Sequence, residues 1–368
     1  MAPIGARDPI RVLVTGPDTR QPGGAGISQH VRYLVQSFAD DPGFLVEPFP
    51  ITSVRTDEPW LWKGVRLLWR YAQLVAIVPR YDVVHVNSSI YDRSIVRDSG
   101  ALLISALMRR PAVLQFHGGE LGLLTRSRRG LLGRMARRAL RGAACVLFLS
   151  AQQGDPVTRE FGLARVRRVA NYVPVDDYDP QAREPHAGLH VLFMGRLHPD
   201  KGAVESVAGF RKARRDGWEL TVAGSGPAEH DVAEAIALTE GARFAGFVEG
   251  QERTRLLAWG DVFVLPSAHN EGMPYGVLEA AASGMAIVAS DNAGLADLVR
   301  EGWNGMVVPP LDAEAVAEAL RAIGDEPSRL REMQRNSRDM AVREYSLAAG
   351  HEVFADIYRE AATRDRGR

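Results

Sequence analysis

Cysteine is almost absent: Cys145 is the sole one in 368 residues. No disulfide can form within the chain, and the apolar pattern around Cys145 suits a small buried hydrophobe better than a reactive thiol. Lysine is nearly as scarce. Lys63, Lys201 and Lys212 are the only lysines among 45 basic residues, and arginine supplies the rest. In so arginine-biased a chain, a lysine placed in a loop points to a need for a compact ammonium. No cysteine and histidine set has metal-ligand spacing, so no metal centre is expected. No apolar run approaches the ~18–20 residues of a membrane-crossing helix. The start, Met1-Ala2-Pro3-Ile4-Gly5-Ala6-Arg7-Asp8, has no secretory apolar segment and leads straight into a strand pattern, so a cytoplasmic protein is the expectation. No internal repeat and no low-complexity tract stands out, apart from one short arginine-rich stretch.

What is present is an α/β pattern. With 46% hydrophobic residues, 368 residues are enough for two α/β domains. Short apolar strand candidates alternate with amphipathic helical stretches, which predicts parallel sheets. Strands are expected at 10–16, 82–87, 112–117 and 144–149, then at 189–195, 220–224, 242–246, 262–266 and 286–290. A helix to about Asp40 follows the first strand and its glycines. Ligand groups in open parallel sheets collect beyond the carboxyl ends of strands, where Gly16, Asn87 and His117 fall. The polar run Gln181 to His190, with Pro185 and Gly188, reads as the linker. Expected domains are therefore 1–183 and 184–345, with a terminal helix over 346–368. The zero net charge hides an asymmetry. Residues 1–185 carry 25 basic and 17 acidic side chains, or +8, leaving 20 and 28, or −8, for residues 186–368. The basic half should favour anionic partners.

The most informative segment is Glu271-Gly272-Met273-Pro274-Tyr275-Gly276-Val277-Leu278-Glu279. Pro274 suits the first turn of a helix, where its missing N–H is no loss. The N–H groups of Gly272 and Met273 would then point out of the helix start, a ready anion site. Glu279 lies about 7.5 Å farther along the axis at ~1.5 Å per residue. Two carboxylates astride a phosphate-binding helix start fit a nucleotide-sugar diphosphate, with ribose at one end and hexose at the other. Upstream, the strand Val191 to Met194 ends at Gly195, and Arg196 and Lys201 follow on a short loop entering a helix. Both cations could neutralise a diphosphate.

These residues resemble the retaining glycosyltransferases of family 4. The matching pieces are Pro22-Gly23-Gly24-Ala25-Gly26, Phe116-His117-Gly118-Gly119, Gly195-Arg196 through Lys201-Gly202, Ala223-Gly224-Ser225-Gly226-Pro227, Gly246-Phe247-Val248 and Glu271 to Glu279. They fall in the family's order and span nearly the whole chain. The resemblance implies the GT-B fold: two Rossmann-like parallel-sheet domains facing across a cleft, an acceptor-side domain first and a nucleotide-sugar domain second. The last helix is then expected to cross back onto the first domain. It also implies roles. Gly23 and Gly24 would bring backbone to the donor phosphates, with Gly195, Gly224, Gly272, Met273 and Pro274 around the donor. Arg196 and Lys201 would hold the diphosphate, Glu279 the ribose hydroxyls, and Glu271 the sugar hydroxyls. Phe247 and Val248 would flank the base, and His117 would stand near the transferred sugar. Leaving-group departure puts negative charge on the phosphate, so fixed cations there are what the transition state needs. No metal and no cofactor is required if Arg196, Lys201 and the helix N–H groups supply that charge. Glu271 could act as a covalent nucleophile, but front-face departure, with the donor phosphate helping to deprotonate the acceptor, better suits a carboxylate that binds hydroxyls.

The expected activity is transfer of a hexose from a UDP- or GDP-linked sugar to a glycan or to a polyprenyl- or glycolipid acceptor, in the setting of bacterial cell-surface polysaccharide. Two alternatives share the fold: a sugar-nucleotide epimerase, which would turn over donor without acceptor, and a noncatalytic nucleotide-sugar or lipid-binding protein. A further partner is suggested by the arginine-rich stretch. Leu132, Met135, Ala136, Ala139 and Leu140 follow helical spacing, and Arg134, Arg137, Arg138 and Arg141 lie opposite, with Arg126, Arg128 and Arg129 upstream. No acidic residue occurs between Glu120 and Asp155. The region Arg126–Arg141 fits a peripheral contact with anionic membrane, and equally a packed helix with a solvated face. Nucleic acid is not expected, because stacking aromatics are missing from the basic segment.

Overall fold

The computed structural model describes residues 8–19, 26–52, 60–119, 130–269 and 272–365. Two six-stranded sheets, parallel throughout the described pairings, organise two units. The first unit comprises Met1–Asn171 with Leu347–Arg368, and the second Tyr172–Ser346.

In the first unit the strands are β1 (Ile10–Pro17), β2 (Phe44–Thr52), β3 (Val83–Ser88), β4 (Ala112–Phe116), β5 (Cys145–Phe148) and β6 (Val166–Arg168), ordered β2-β1-β3-β4-β5-β6. β3 and β4 are buried along their whole lengths, as expected of central parallel strands covered on both faces. Helices α1 (Gly26–Ser37), α2 (Trp60–Ile77), α3 (Asp92–Leu107), α4 (Leu131–Gly142) and α5 (Ala151–Phe161) make the crossovers. Right-handed connections place α2, α3 and α4 on one face and α1 on the other. The packing agrees: α3 touches both α2 and α4, while α1 packs against α12 (Leu347–Asp365), which also contacts β1 and β3. The chain's last helix therefore completes the first unit's core.

The second unit has β7 (His190–Met194), β8 (Glu219–Ala223), β9 (Ala242–Gly246), β10 (Val262–Leu265), β11 (Ala286–Ser290) and β12 (Gly305–Val308), ordered β12-β11-β10-β7-β8-β9. Its helices are α6 (Ala203–Ala213), α7 (Glu229–Ala237), α8 (Gly250–Trp259), α9 (Tyr275–Ala282), α10 (Ala313–Gly324) and α11 (Pro327–Glu344). Strand order reverses between β1 and β3 in the first sheet, and between β7 and β10 in the second. Each reversal opens a crevice beyond the strands' carboxyl ends, the expected ligand position in a doubly wound sheet.

The units divide between Asn171 and Tyr172, ahead of the 183/184 boundary expected from the sequence. The reason is local. Val173 N–H bonds the Tyr345 carbonyl at 2.8 Å. The Arg338 guanidinium donates to the carbonyls of Val175 (2.7 Å), Tyr178 (2.9 Å) and Ala282 (2.6 Å). The polar run expected to be a linker is likewise tied down: Arg183 Nη2 donates to the Ser283 carbonyl at 3.1 Å, and His186 Nε2 lies 3.2 Å from Asp261. Charge-assisted bonds each contribute about 1.5–3 kcal/mol, so Arg338→Ala is expected to lower the second unit's stability by at least about 2 kcal/mol. A shift in the urea midpoint checks this, and an unchanged midpoint would show that the entry segment is held by apolar burial alone.

Candidate active site

At the second unit's crevice, the loop after β7 is pinned to the loop after β8. Gly195 N–H bonds the Ala223 carbonyl at 3.0 Å, Leu197 N–H bonds Ser225 at 2.9 Å, and Ala228 N–H returns to Leu197 at 2.9 Å. Gly224, at φ 146°, lies so close that a Cβ would stand 1.8 Å from the Gly195 oxygen. This fixes where Arg196 and Lys201 begin. Leu197 is buried and Arg196 is exposed, so the anchor and the cation are neighbours on one short loop. Lys201 ends a turn of 3-10 helix and is half-buried at the entrance to α6.

The loop after β10 reaches the same place. Asp200 joins it to the Arg196–Lys201 loop: its carbonyl accepts from Ala268 N–H (2.8 Å) and His269 N–H (3.1 Å). Its carboxylate bonds His198 Nδ1 and lies 2.9 Å from His269 Nδ1. Desolvation is the largest single influence on the Asp200 carboxyl and raises it, but the bonds and charges of His269 and His198 together hold it below the usual carboxylate range. Asn292 donates to the His269 carbonyl at 2.6 Å. Gly294 admits the Gly272 carbonyl so closely that a Cβ would lie 1.6 Å from it. Gly272, Met273 and Pro274 then lead into α9, with Pro274 at its N-cap and Met273 buried. Glu271 lies outside the described residues, and so do Gly23 and Gly24 of the first unit.

Glu279 is 2% exposed on the buried side of α9 and is salt-bridged to Arg253 of α8. Arg253 had no signal in the sequence, because α8 reads as an ordinary polar helix. Val248 is buried, whereas Phe247 is 58% exposed just beyond β9. That exposure leaves an aromatic face beside the loop of Gly224, whose N–H bonds the Gly246 carbonyl at 2.7 Å. The loops after β7, β8, β10 and β11 thus adjoin and carry Arg196, Lys201 and the α9 start, with Glu279 of α9 paired to Arg253 and Phe247 exposed beyond β9.

In the first unit His117 follows β4, its N–H bonded to the Ser88 carbonyl at 2.9 Å. Its Nε2 meets Asn87 Oδ1 at 2.7 Å, and Asn87 Nδ2 donates to the Thr15 carbonyl at 3.0 Å. That chain of bonds assigns the proton: Asn87 presents its oxygen, so His117 carries N–H at Nε2 and keeps a lone pair at Nδ1. Two further histidines back it. The His30 ring centroid is 4.6 Å from that of His117, and His85 Nδ1 lies 2.7 Å from the Tyr358 hydroxyl of α12. Burial pushes His30 and His85 down to about 3. Burial and then these two neighbours hold His117 well below the ordinary imidazole value, so it works as a neutral group.

The match to known proteins follows both units. Residues 188–326 match the family described as "Glycosyl transferases group 1", and residues 6–174 match the "Glycosyl transferase 4-like domain". The chain belongs to the group 1, family 4 glycosyltransferases. Among its relatives, an alpha-D-kanosaminyltransferase of Streptomyces kanamyceticus is 30% identical over 285 residues, covering 70% of this chain and 72% of that one. A glycogen synthase of Mycobacterium tuberculosis is 28% identical over 299 residues, covering 78% and 70%. In fold it resembles a sucrose-phosphate synthase from Thermosynechococcus elongatus (TM-score 0.73, 19% identity, 96% of this chain and 100% of that one). It also resembles Anabaena HepE solved with UDP-glucose (TM-score 0.71, 17% identity, 95% and 99%). The fold is therefore GT-B and the protein an enzyme, a glycosyltransferase.

In this glycosyltransferase the three neutral histidines carry a stability consequence. Between pH ~3 and ~6.5 the folded chain keeps His30 and His85 neutral while the unfolded chain protonates them. Their contribution is fully present above about 6.5 and is lost as pH falls toward 3. At ~1.4 kcal/mol per pH unit for each, His30 and His85 alone should lower stability by roughly 4 kcal/mol from pH 7 to pH 5, and His117 adds to that loss. Urea unfolding across that range measures the slope, and His85→Gln is expected to reduce it by about a third. A flat profile would mean that these rings are protonated in the folded protein.

Proposed function

We propose that the enzyme moves a hexose, with retention, from a UDP- or GDP-linked sugar to a glycan or to a polyprenyl- or glycolipid acceptor in cell-surface polysaccharide assembly. The observation that carries the donor half is the meeting of the Arg196–Lys201 loop, the α9 start and Glu279 at the β7/β10 crevice. In this reading Lys201 and Arg196 hold the diphosphate beside the N–H groups of Gly272 and Met273. Glu279, oriented by Arg253, accepts from the ribose hydroxyls, and Phe247 with Val248 borders the base. Glu271 takes the hexose hydroxyls, Gly23 and Gly24 approach the phosphates, and neutral His117 presents a proton-fixed imidazole to sugar or acceptor.

The chemistry needs no metal in this reading. Charge accumulates on the departing diphosphate, and two cations with a helix start neutralise it without reorganising during the reaction. The protein would work in the cytoplasm, at the inner membrane face where the acceptor is lipid-linked, with the Arg126–Arg141 stretch toward anionic lipid. Described from residue 130 onward, that stretch leaves Arg134 and Arg138 exposed. The other two arginines of α4 are committed to α5: Arg137 Nη2 lies 3.0 Å from Glu160 Oε1, and Arg141 Nε donates to the Phe161 carbonyl at 2.6 Å. Cations at a helix carboxyl end offset its dipole.

Lys201→Ala is expected to cut turnover at least ~100-fold, as for loss of one transition-state electrostatic contact, with little change in stability. Normal turnover in that variant would remove the phosphate assignment.

The two carboxylates should separate. Glu279→Gln is expected to weaken binding of nucleoside diphosphate with or without sugar. Glu271→Gln should spare free nucleoside diphosphate yet impair the intact sugar nucleotide. Calorimetry reads both, with UDP and GDP as the first probes. Equal defects toward free nucleotide would contradict the division of roles.

A further inference from the structure

α2 is apolar on both sides. Its inner side carries Leu74, fully buried, with Leu67, Tyr71 and Ile77 packed against the first unit's core. Its outer side carries Trp62, Val65, Leu68 and Trp69, exposed by 65%, 57%, 70% and 63%. A crossover helix of a soluble α/β domain needs the first side only. Trp62, Val65 and Trp69 stand at i, i+3 and i+7, one stripe down the helix. Lys63, Arg66 and Arg70 flank that stripe, and the helix holds no carboxylate.

The surroundings continue the pattern. α2, α3 and α4 form one layer over the sheet, and Tyr71 of α2 bonds the Arg97 carbonyl of α3. Where α3 meets α4, a cavity of about 540 Å³ is lined by Leu102, Leu103 and Ala106 and by the arginines 110, 134, 137, 138 and 141. Leu107 at the end of α3 and Met135 of α4 are exposed by 74% and 43%. Apolar side chains, tryptophans and guanidinium groups thus share one layer, within the half of the chain that carries +8.

We propose that this layer is a docking face for an anionic lipid bilayer, with α2 lying in the plane of the interface. Tryptophan places its ring among acyl chains and its N–H among headgroups, while lysine and arginine stems extend from the apolar layer toward phosphate. Charge chooses among the possible occupants. An apolar stripe flanked only by cations repels its own copy, whereas it complements a surface of lipid phosphates. Arg134 and Arg138 add attraction at a distance, and the α2 stripe supplies the short-range insertion. The inference deepens the membrane setting of the proposed function and rests on that reading, while no residue of α2 takes part in the donor chemistry.

The test is sedimentation of the full chain with vesicles of equal parts phosphatidylcholine and phosphatidylglycerol, against phosphatidylcholine alone. Binding to the anionic vesicles is expected, with a blue shift of tryptophan emission. Raising salt should weaken it only in part, because screening acts on the charges and leaves apolar insertion in place. Trp62→Ser combined with Trp69→Ser should reduce vesicle partitioning at least ~10-fold, and a melting temperature equal to wild type shows that it is folded. Nucleotide-sugar turnover in solution should be the same for both proteins, so a failed donor reading and a failed docking face are distinguishable. Equal partitioning of variant and wild type overturns the proposal, as does absence of binding to anionic vesicles. Sedimentation equilibrium without lipid is the remaining arm: a wild-type dimer that the variant turns into a monomer would assign the face to a second copy of the chain.

Discussion

Backbone packed directly on backbone sets the geometry of the second unit's crevice. The loops after β7, β8, β10 and β11 meet there at separations that exclude a Cβ at Gly224 and at Gly294. Strand order reverses at β7 and β10, so these loops diverge from a common point, and only such contacts bring them back together. The backbone of Arg196, Lys201, Met273 and the start of α9 is placed by these contacts. A cation that neutralises a transition state must already be in place, because reorganising it during the reaction would consume the gain. Close packing of main chain is an inexpensive way to obtain such placement, requiring small residues but no extra side-chain network.

Arginine does structural work elsewhere in the chain. Arg338 gathers three carbonyls from two segments, and Arg137 and Arg141 take the last two carbonyls of α5. Arg253 fixes Glu279. A planar fork of five donors reaches several acceptors at once, which an ammonium cannot do with the same geometry. That use contrasts with Lys201, which sits in a crevice loop. It also shows why counting charges overstates a basic surface: two of the four α4 arginines serve the fold before they serve any partner.

The interior strands were legible in the sequence because parallel strands covered on both faces read as short apolar runs, and β1, β3, β4, β5, β7, β8, β10 and β11 all lie where such runs fall. The strands that escaped, β2, β6 and β12, are all sheet edges. β2 contains Pro48 and Pro50, which suit an edge and mask a strand signal, and β6 is exposed throughout. The units divide ahead of the polar run because Arg338 ties Val175 and Tyr178 to Ala282, and Arg183 ties the run itself to Ser283. For the site, Arg196, Lys201 and Glu279 were readable as residues in motifs, whereas Arg253, Asp200 and the histidines 30 and 85 were not. Their meaning lies in partners distant along the chain, and spacing carries no trace of that.

The first unit presents the opposite electrostatic design. Around His117 the neighbours are His30, His85, Asn87 and the Tyr358 hydroxyl, and burial keeps the imidazoles neutral. A neutral imidazole with its tautomer fixed by Asn87 offers a donor and an acceptor without charge. An uncharged group that both donates and accepts suits sugar hydroxyls, the role proposed for His117, as fixed cations suit a diphosphate. Its cost is stability in acid, which follows from the same burial. α12, contributed by the far end of the chain, supplies both Tyr358 and Phe354 to that cluster. The last helix therefore does more than close a core: its Tyr358 and Phe354 pack against His85 and His30, the two rings that, after burial, lower His117.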